Sequence, residues 1–147
     1  MKLADIKSIG ILGAGVMGGG IAQCAVLAGK KVIVRDLTDA ICANARDVIL
    51  NSRFGFNSAV QLGKLTQEAA DKAMSLLHFT TDVKDLKDCD LIIEAIGGGD
   101  DGAIENKPLK LKVWAELDKT VKKEAVFASN TSMFTIADLA AVTTRKD

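Results

Sequence analysis

No charge of either sign predominates in the sequence: nineteen Lys and Arg offset nineteen Asp and Glu across 147 residues, and the formal net charge is zero. A chain without a basic excess lacks the electrostatic footprint of a nucleic-acid binder or of a protein drawn to anionic membranes. No apolar run approaches the ~20 residues needed to cross a bilayer. The opening Met1-Lys2-Leu3-Ala4-Asp5 meets an acid too early for a secretory signal. Cysteine is scarce: Cys24, Cys42 and Cys89 are widely spaced and odd in number, which argues against a disulfide framework and a metal site. Proline and histidine occur once each, as Pro108 and His78. With 48% apolar and 26% charged residues, these absences predict one folded domain in a reducing, cytoplasmic compartment, with neither membrane nor nucleic acid as partner.

Glycine is not scarce, and its thirteen residues cluster. Gly10, Gly13, Gly15, Gly18, Gly19 and Gly20 lie near the start; Gly97–Gly99 and Gly102 lie two-thirds of the way along. Around them, short β-branched runs alternate with helical patterns. Ile6–Leu12, Lys31–Asp36, Leu77–Thr81, Asp90–Ile96 and Ala125–Ser129 read as five strands. Between them the spacing predicts a helix from Val16 to Ala28, with Met17, Ile21, Cys24 and Ala25 on its inner face. A long helix runs from a cap at Thr38 or Asp39 toward Leu62, where Gly63 breaks it, and a shorter one follows the Thr66 cap. Pro108 opens a helix through Leu111, Trp114 and Leu117, ending in a solvated charge run from Lys119 to Glu124, and Thr135 caps a last short helix. The alternation predicts an α/β fold: a parallel sheet of right-handed βαβ units with helices on both faces. The helical pair over about residues 38–76 exceeds a minimal crossover and reads as a projecting hairpin.

Gly13-Ala14-Gly15-Val16-Met17-Gly18 is a G-x-G-x-x-G that follows a strand, opens a helix and has an acid, Asp36, at the end of the next strand. Gly13 permits the tight turn, Gly15 admits a pyrophosphate to the backbone, and Gly18 lets helix and strand pack closely. Free amides at Val16 and Met17 then face the phosphates. Asp36 accepts hydrogen bonds from an adenosine ribose, which selects NAD over a 2′-phosphorylated coenzyme, with the neighbouring Arg35 as the one feature against it.

Taken with that cradle, Glu94-Ala95-Ile96, the E-N-x-x-x-K of Glu105–Lys110 and the F-A-S-N-T-S of Phe127–Ser132 resemble the NAD-binding domain of the 3-hydroxyacyl-CoA dehydrogenases, the 3-hydroxybutyryl-CoA dehydrogenases among them. The likeness runs from about Ile6 to Asp147. It implies a Rossmann-type doubly wound parallel sheet of about five strands, and hydride transfer between NAD and C3 of a 3-hydroxyacyl-CoA in fatty acid metabolism. It also implies that Ser132 hydrogen-bonds the substrate oxygen, and that Glu105, Lys110 and Asn130 lie at the nicotinamide end. Ser52 would touch the CoA portion, although a second CoA position, a lysine in the family, is Ala59 here.

Two departures set further expectations. The family's histidine base, and its helical second domain, follow the stretch at which this sequence ends, so turnover by the chain alone is not expected. His78, at a strand beginning, lies at the wrong end of the sheet to replace that base. A bare edge on the last strand would invite a homodimer. Second, residues 97–103 form a Gly/Asp-rich insertion ahead of Glu105. It either swings into solvent and leaves Glu105 in place, or it displaces Glu105 or adds the Asp100 and Asp101 charges near the coenzyme and weakens binding. A non-enzymatic NAD(H) sensor, and a dehydrogenase of small 3-hydroxy acids or nucleotide sugars, are the competing readings.

Overall fold

The computed structural model describes residues 2–98 and 105–145. Five parallel strands, β1 (Ser8–Leu12), β2 (Lys31–Arg35), β3 (Leu77–Thr80), β4 (Leu91–Glu94) and β5 (Val126–Ser129), form one sheet in the order β3-β2-β1-β4-β5. Strand order therefore reverses direction between β1 and β4, and the crevice beyond their C-terminal ends is where open α/β sheets receive ligands.

Helices α1 (Val16–Leu27), α2 (Asp39–Asn51), α3 (Phe56–Gln61) and α4 (Gln67–Ser75) cover one face. Their core joins Ile11, Val32 and Val34 of the sheet to Ala22, Val26, Ala45, Ile49, Phe56, Ala70 and Ala73. Helix α5 (Lys107–Thr120) covers the other face, where Leu12, Leu86, Ile92, Leu117 and Val121 form a second core. Trp114 packs edge-on to Phe127 at 5.6 Å and is buried, as its helical spacing predicts. The short α6 (Ile136–Ala140) starts at the expected cap, Thr135, whose hydroxyl accepts from the Asp138 amide. Thr38 and Thr66 cap α2 and α4 in the same way.

Three local expectations are corrected. The inner face of α1 is the row Gly18, Ala22, Val26, not the one carrying Cys24, which is exposed. Helix α1 is apolar on nearly every side, so periodicity could not choose a face; the close approach made possible by Gly18 does. The long helix after Thr38 stops at Asn51 and restarts at Phe56, with Gly55 at its N-cap. Gln23 ties this break to α1, its side-chain amide donating to the carbonyls of Ile49 and Phe54. Helices α2 and α4 both pack on α1 and β3. Lys122 is not a freely solvated end either: it pairs with Asp90.

That pair anchors the start of β4. Asp90 accepts from Lys122 at 2.5 Å, from the Lys7 and Ser8 amides and from the Ser8 hydroxyl, which together hold its carboxyl well below the usual range. A carboxyl depressed by folding stabilises the folded chain above the unfolded pKa near ~4, and that contribution fades as pH falls toward the folded value. Urea midpoints of the wild type are expected to drop between about pH 5 and pH 3. Those of Asp90→Asn start lower and fall less steeply over the same range.

Strand β5 is an outer strand, as expected. Arg145 folds back over the Phe127 ring at 4.2 Å and donates to the carbonyls of Val121, Lys122, Lys123 and Ala125.

Candidate active site

A crevice of about 640 Å³ opens above the switch between β1 and β4, within the usual range of small-ligand sites. Gly13, Gly15, Val16, Met17 and Asp36 line one half; Glu105, Asn130 and Ser132 line the other. Gly13 and Ser132 stand more than a hundred residues apart in the sequence, and the fold brings them to one cleft. Leu37 and Ile41 give the first half an apolar wall, and Leu109 and Val113 do so for the second.

The glycine positions differ in what they permit. Gly13 has φ +97°, and a Cβ there would lie 2.5 Å from the Ala95 carbonyl oxygen. A Cβ at Gly18 would lie 1.8 Å from the Gly13 oxygen, so the first turn of α1 rests directly on the β1 turn. At Gly15 a Cβ would meet nothing within 4 Å. Gly15 is the N-cap of α1, with no side chain capping it, and the next residue, Val16, is 90% exposed. The helix start thus presents backbone amides to an open space that a methyl group would fill, as a phosphate site requires.

Asp36 is half-buried at the end of β2. Its Oδ2 accepts from the Ala14 amide at 2.6 Å and its Oδ1 from the Leu37 amide at 2.7 Å. These bonds aim the carboxylate into the crevice and leave lone pairs for ribose hydroxyls. Arg35 lines the same half of the crevice, its Nε donating to the Thr81 carbonyl at 3.2 Å.

The second half is built around a buried ion. Lys110 and Glu94 have no side-chain exposure, and Lys110 Nζ lies 2.7 Å from Glu94 Oε1 and 3.2 Å from Glu105 Oε2. Glu94 also accepts from the Ile96 amide (2.7 Å) and, at Oε2, from the Ser129 hydroxyl (2.6 Å). Glu105 Oε1 accepts from the Ser132 amide at 2.9 Å and lies 3.4 Å from its hydroxyl. Burial raises the Glu105 pKa, but hydrogen bonds from Thr131, Ser132 and Lys110 outweigh it and hold the carboxyl at about 2. Lys110, which the resemblance assigns to the nicotinamide end, is buried behind Glu105 and is not among the residues lining the crevice. It reaches the crevice only through Glu105.

Ser52 is not among the crevice residues. It ends α2, its carbonyl accepting from the Ser58 hydroxyl. His78 is exposed near the start of β3. Gly97 and Gly98 line the crevice, whereas Gly99 to Ala103 of the insertion, Asp100 and Asp101 included, lie outside the described residues. Among the described residues no cluster of metal-ligating side chains occurs, and no helix is long and apolar enough to cross a membrane. Sequence reading assigned no role to Glu94 or Ser129. The available signal was an ionisable residue closing the apolar strand Leu91–Glu94, since a buried acid requires a partner.

Residues 8–147 match the family model of the 3-hydroxyacyl-CoA dehydrogenase NAD-binding domain. The chain belongs to the 3-hydroxyacyl-CoA dehydrogenase family. It is 40% identical over 139 residues to a 3-hydroxybutyryl-CoA dehydrogenase of Mycobacterium tuberculosis, covering 94% of this chain and 45% of that protein. It is 35% identical over 145 residues to the mitochondrial hydroxyacyl-coenzyme A dehydrogenase of Rattus norvegicus, covering 97% and 44%. The crystal structure of (S)-3-hydroxybutyryl-CoA dehydrogenase from Ralstonia eutropha superposes with a TM-score of 0.85 at 36% identity, covering 95% of this chain and 46% of that one. The chain thus spans a little under half the length of these relatives, and corresponds to the NAD-binding domain of the 3-hydroxyacyl-CoA dehydrogenases. The residues of the cradle fit NAD: an uncapped helix start, the open face at Gly15 and a crevice-lining carboxylate, Asp36.

Proposed function

We propose that this chain is the coenzyme-holding part of an oxidoreductase that acts on 3-hydroxyacyl-CoA in fatty acid metabolism. The observation that carries the proposal is the continuity of one crevice from Gly15 and Asp36 to Asn130 and Ser132. When bound, NAD supplies hydride acceptance at its nicotinamide, and NADH the reverse. The amides at the start of α1 hold the pyrophosphate, and Asp36 holds the adenosine ribose. Asn130 and Glu105 border the nicotinamide end. Ser132, exposed beside them, donates a hydrogen bond to the C3 oxygen of the substrate, and Ser52 contacts its CoA portion.

No described crevice residue suits the remaining task, removal of the hydroxyl proton. Glu105, held at about 2, is a weak base at neutral pH, and His78 stands elsewhere. Turnover by this chain alone is accordingly lower than that of a full-length relative by the ~10²–10⁴-fold that general-base help typically supplies.

Calorimetric titration with NADH and NADPH tests the reading. Saturable binding of NADH is expected, with NADPH at least about tenfold weaker because a 2′-phosphate would face the Asp36 carboxylate. Asp36→Ala is expected to weaken NADH and narrow the gap. Equal binding of the two coenzymes, or of neither, would defeat the proposal. Addition of acetoacetyl-CoA to the NADH complex should perturb its fluorescence in the wild type and not in Ser132→Ala.

A further inference from the structure

Beneath the second half of the crevice, three ionised side chains lie in series, and their charges do not cancel. Lys110 Nζ sits closer to Glu94 (2.7 Å) than to Glu105 (3.2 Å), and neither Lys110 nor Glu94 has any exposed side-chain surface. Glu94 therefore neutralises the lysine first and leaves one net negative charge in the group. Glu105 alone of the three lines the crevice, with 7% of its side chain exposed. Its Oε1 is held by the Ser132 amide, which fixes the carboxylate beside Ser132.

The site's polarity says which part of the coenzyme meets this charge. Asp36 marks the adenosine side over β2, so the other nucleoside lies across the switch point, over β4 and β5. The two redox states of NAD differ there and nowhere else: the nicotinamide ring is a cation in the oxidised form and neutral in the reduced form. Asp36, at the opposite end, acts on both states alike.

We infer that the Glu94–Lys110–Glu105 triad selects for coenzyme oxidation state, favouring NAD⁺ over NADH relative to an uncharged crevice floor. Glu105 is the carboxylate that faces the ring. Lys110 and Glu94 are positioning residues: the lysine fixes Glu105, and Glu94 offsets the lysine so that the Glu105 charge is not cancelled. The inference rests on the NAD-binding reading of the crevice given above.

The test compares dissociation constants of the whole chain for NADH, by fluorescence titration, and for NAD⁺, by competition against it. Glu105→Gln keeps the side-chain shape and can still accept from Ser132. It should raise the ratio of the NAD⁺ constant to the NADH constant roughly 3- to 30-fold, as expected for one partly screened charge several ångström away. Glu105→Asp, which keeps the charge, should return the ratio toward wild type. Glu94→Gln should shift it in the same direction as Glu105→Gln without touching the coenzyme, because Lys110 then pairs with Glu105 alone. Thermal unfolding of each variant is recorded alongside. A merely structural role would weaken both redox forms by one common factor, so an unchanged ratio in Glu105→Gln and Glu94→Gln overturns the inference. A wild-type chain that binds neither form overturns the NAD-binding reading itself, and the inference with it.

Discussion

Gly15→Ala is expected to retain wild-type stability to within about 1 kcal/mol while its affinity for NADH falls at least ~100-fold. The backbone at Gly15, with φ −68° and ψ −169°, suits any residue, and its added methyl would touch nothing within 4 Å. What the methyl would enter is the space above the first amides of α1, where the pyrophosphate must approach closely to use the helix start. Gly18→Ala should do the reverse. Its Cβ would fall 1.8 Å from the Gly13 carbonyl oxygen, which is backbone and cannot rotate away. Helix α1 would have to lift from β1, separating Ala22 and Val26 from Ile11 and Val34, at a cost on the order of 3 kcal/mol or more. Gly13→Ala adds a strained φ to a 2.5 Å contact with Ala95 and should be comparably destabilised.

Urea denaturation and NADH calorimetry on the same preparations separate these outcomes. If Gly15→Ala binds NADH within threefold of wild type, the phosphates do not lie at the start of α1. A Gly18→Ala chain as stable as wild type would mean that the strand and helix are not in the close contact described.

The contrast shows why the cradle was legible in sequence and the rest of the site only in part. A glycine fingerprint is a local backbone requirement, and Asp36 lies one strand further on in a fixed register with β1, since Leu12 pairs with Arg35. Five strands and their parallel order follow from equally local patterns. Where periodicity carried no information, the reading failed: α1 is apolar on most sides, and only tertiary contact picks Gly18, Ala22 and Val26 over Cys24. The Ser52–Gly55 break was hidden for another reason. It is stabilised by Gln23 from a different helix, which leaves no mark in the local run of residues. Lys110 was visible as a motif residue, yet its burial was not, because that depends on Glu94 sixteen positions earlier on the facing strand. Charges that satisfy one another inside a fold look, in one dimension, like any other surface lysine and glutamate.

That buried triad carries the second large effect. Lys110→Met should lower stability by about 3–5 kcal/mol, because it leaves Glu94 wholly enclosed with no cation and removes the counter-charge from Glu105. Glu94 would retain only the Ile96 amide and the Ser129 hydroxyl as donors. Pairing the change with Glu94→Gln should recover a substantial part of the loss, since a neutral amide can still accept from Ile96 and needs no lysine. In a double-mutant cycle followed by urea unfolding, the two losses should therefore fall short of additivity by at least ~1.5 kcal/mol. Strict additivity would mean that Glu94 and Lys110 do not share their charge in the folded chain. The cycle also distinguishes what the triad is for. A buried ion pair is often no more stabilising than apolar residues of the same volume. If the double variant approaches wild-type stability, the fold has no need of these charges. Their remaining use is then at the crevice, which Glu105 lines and where it holds Ser132.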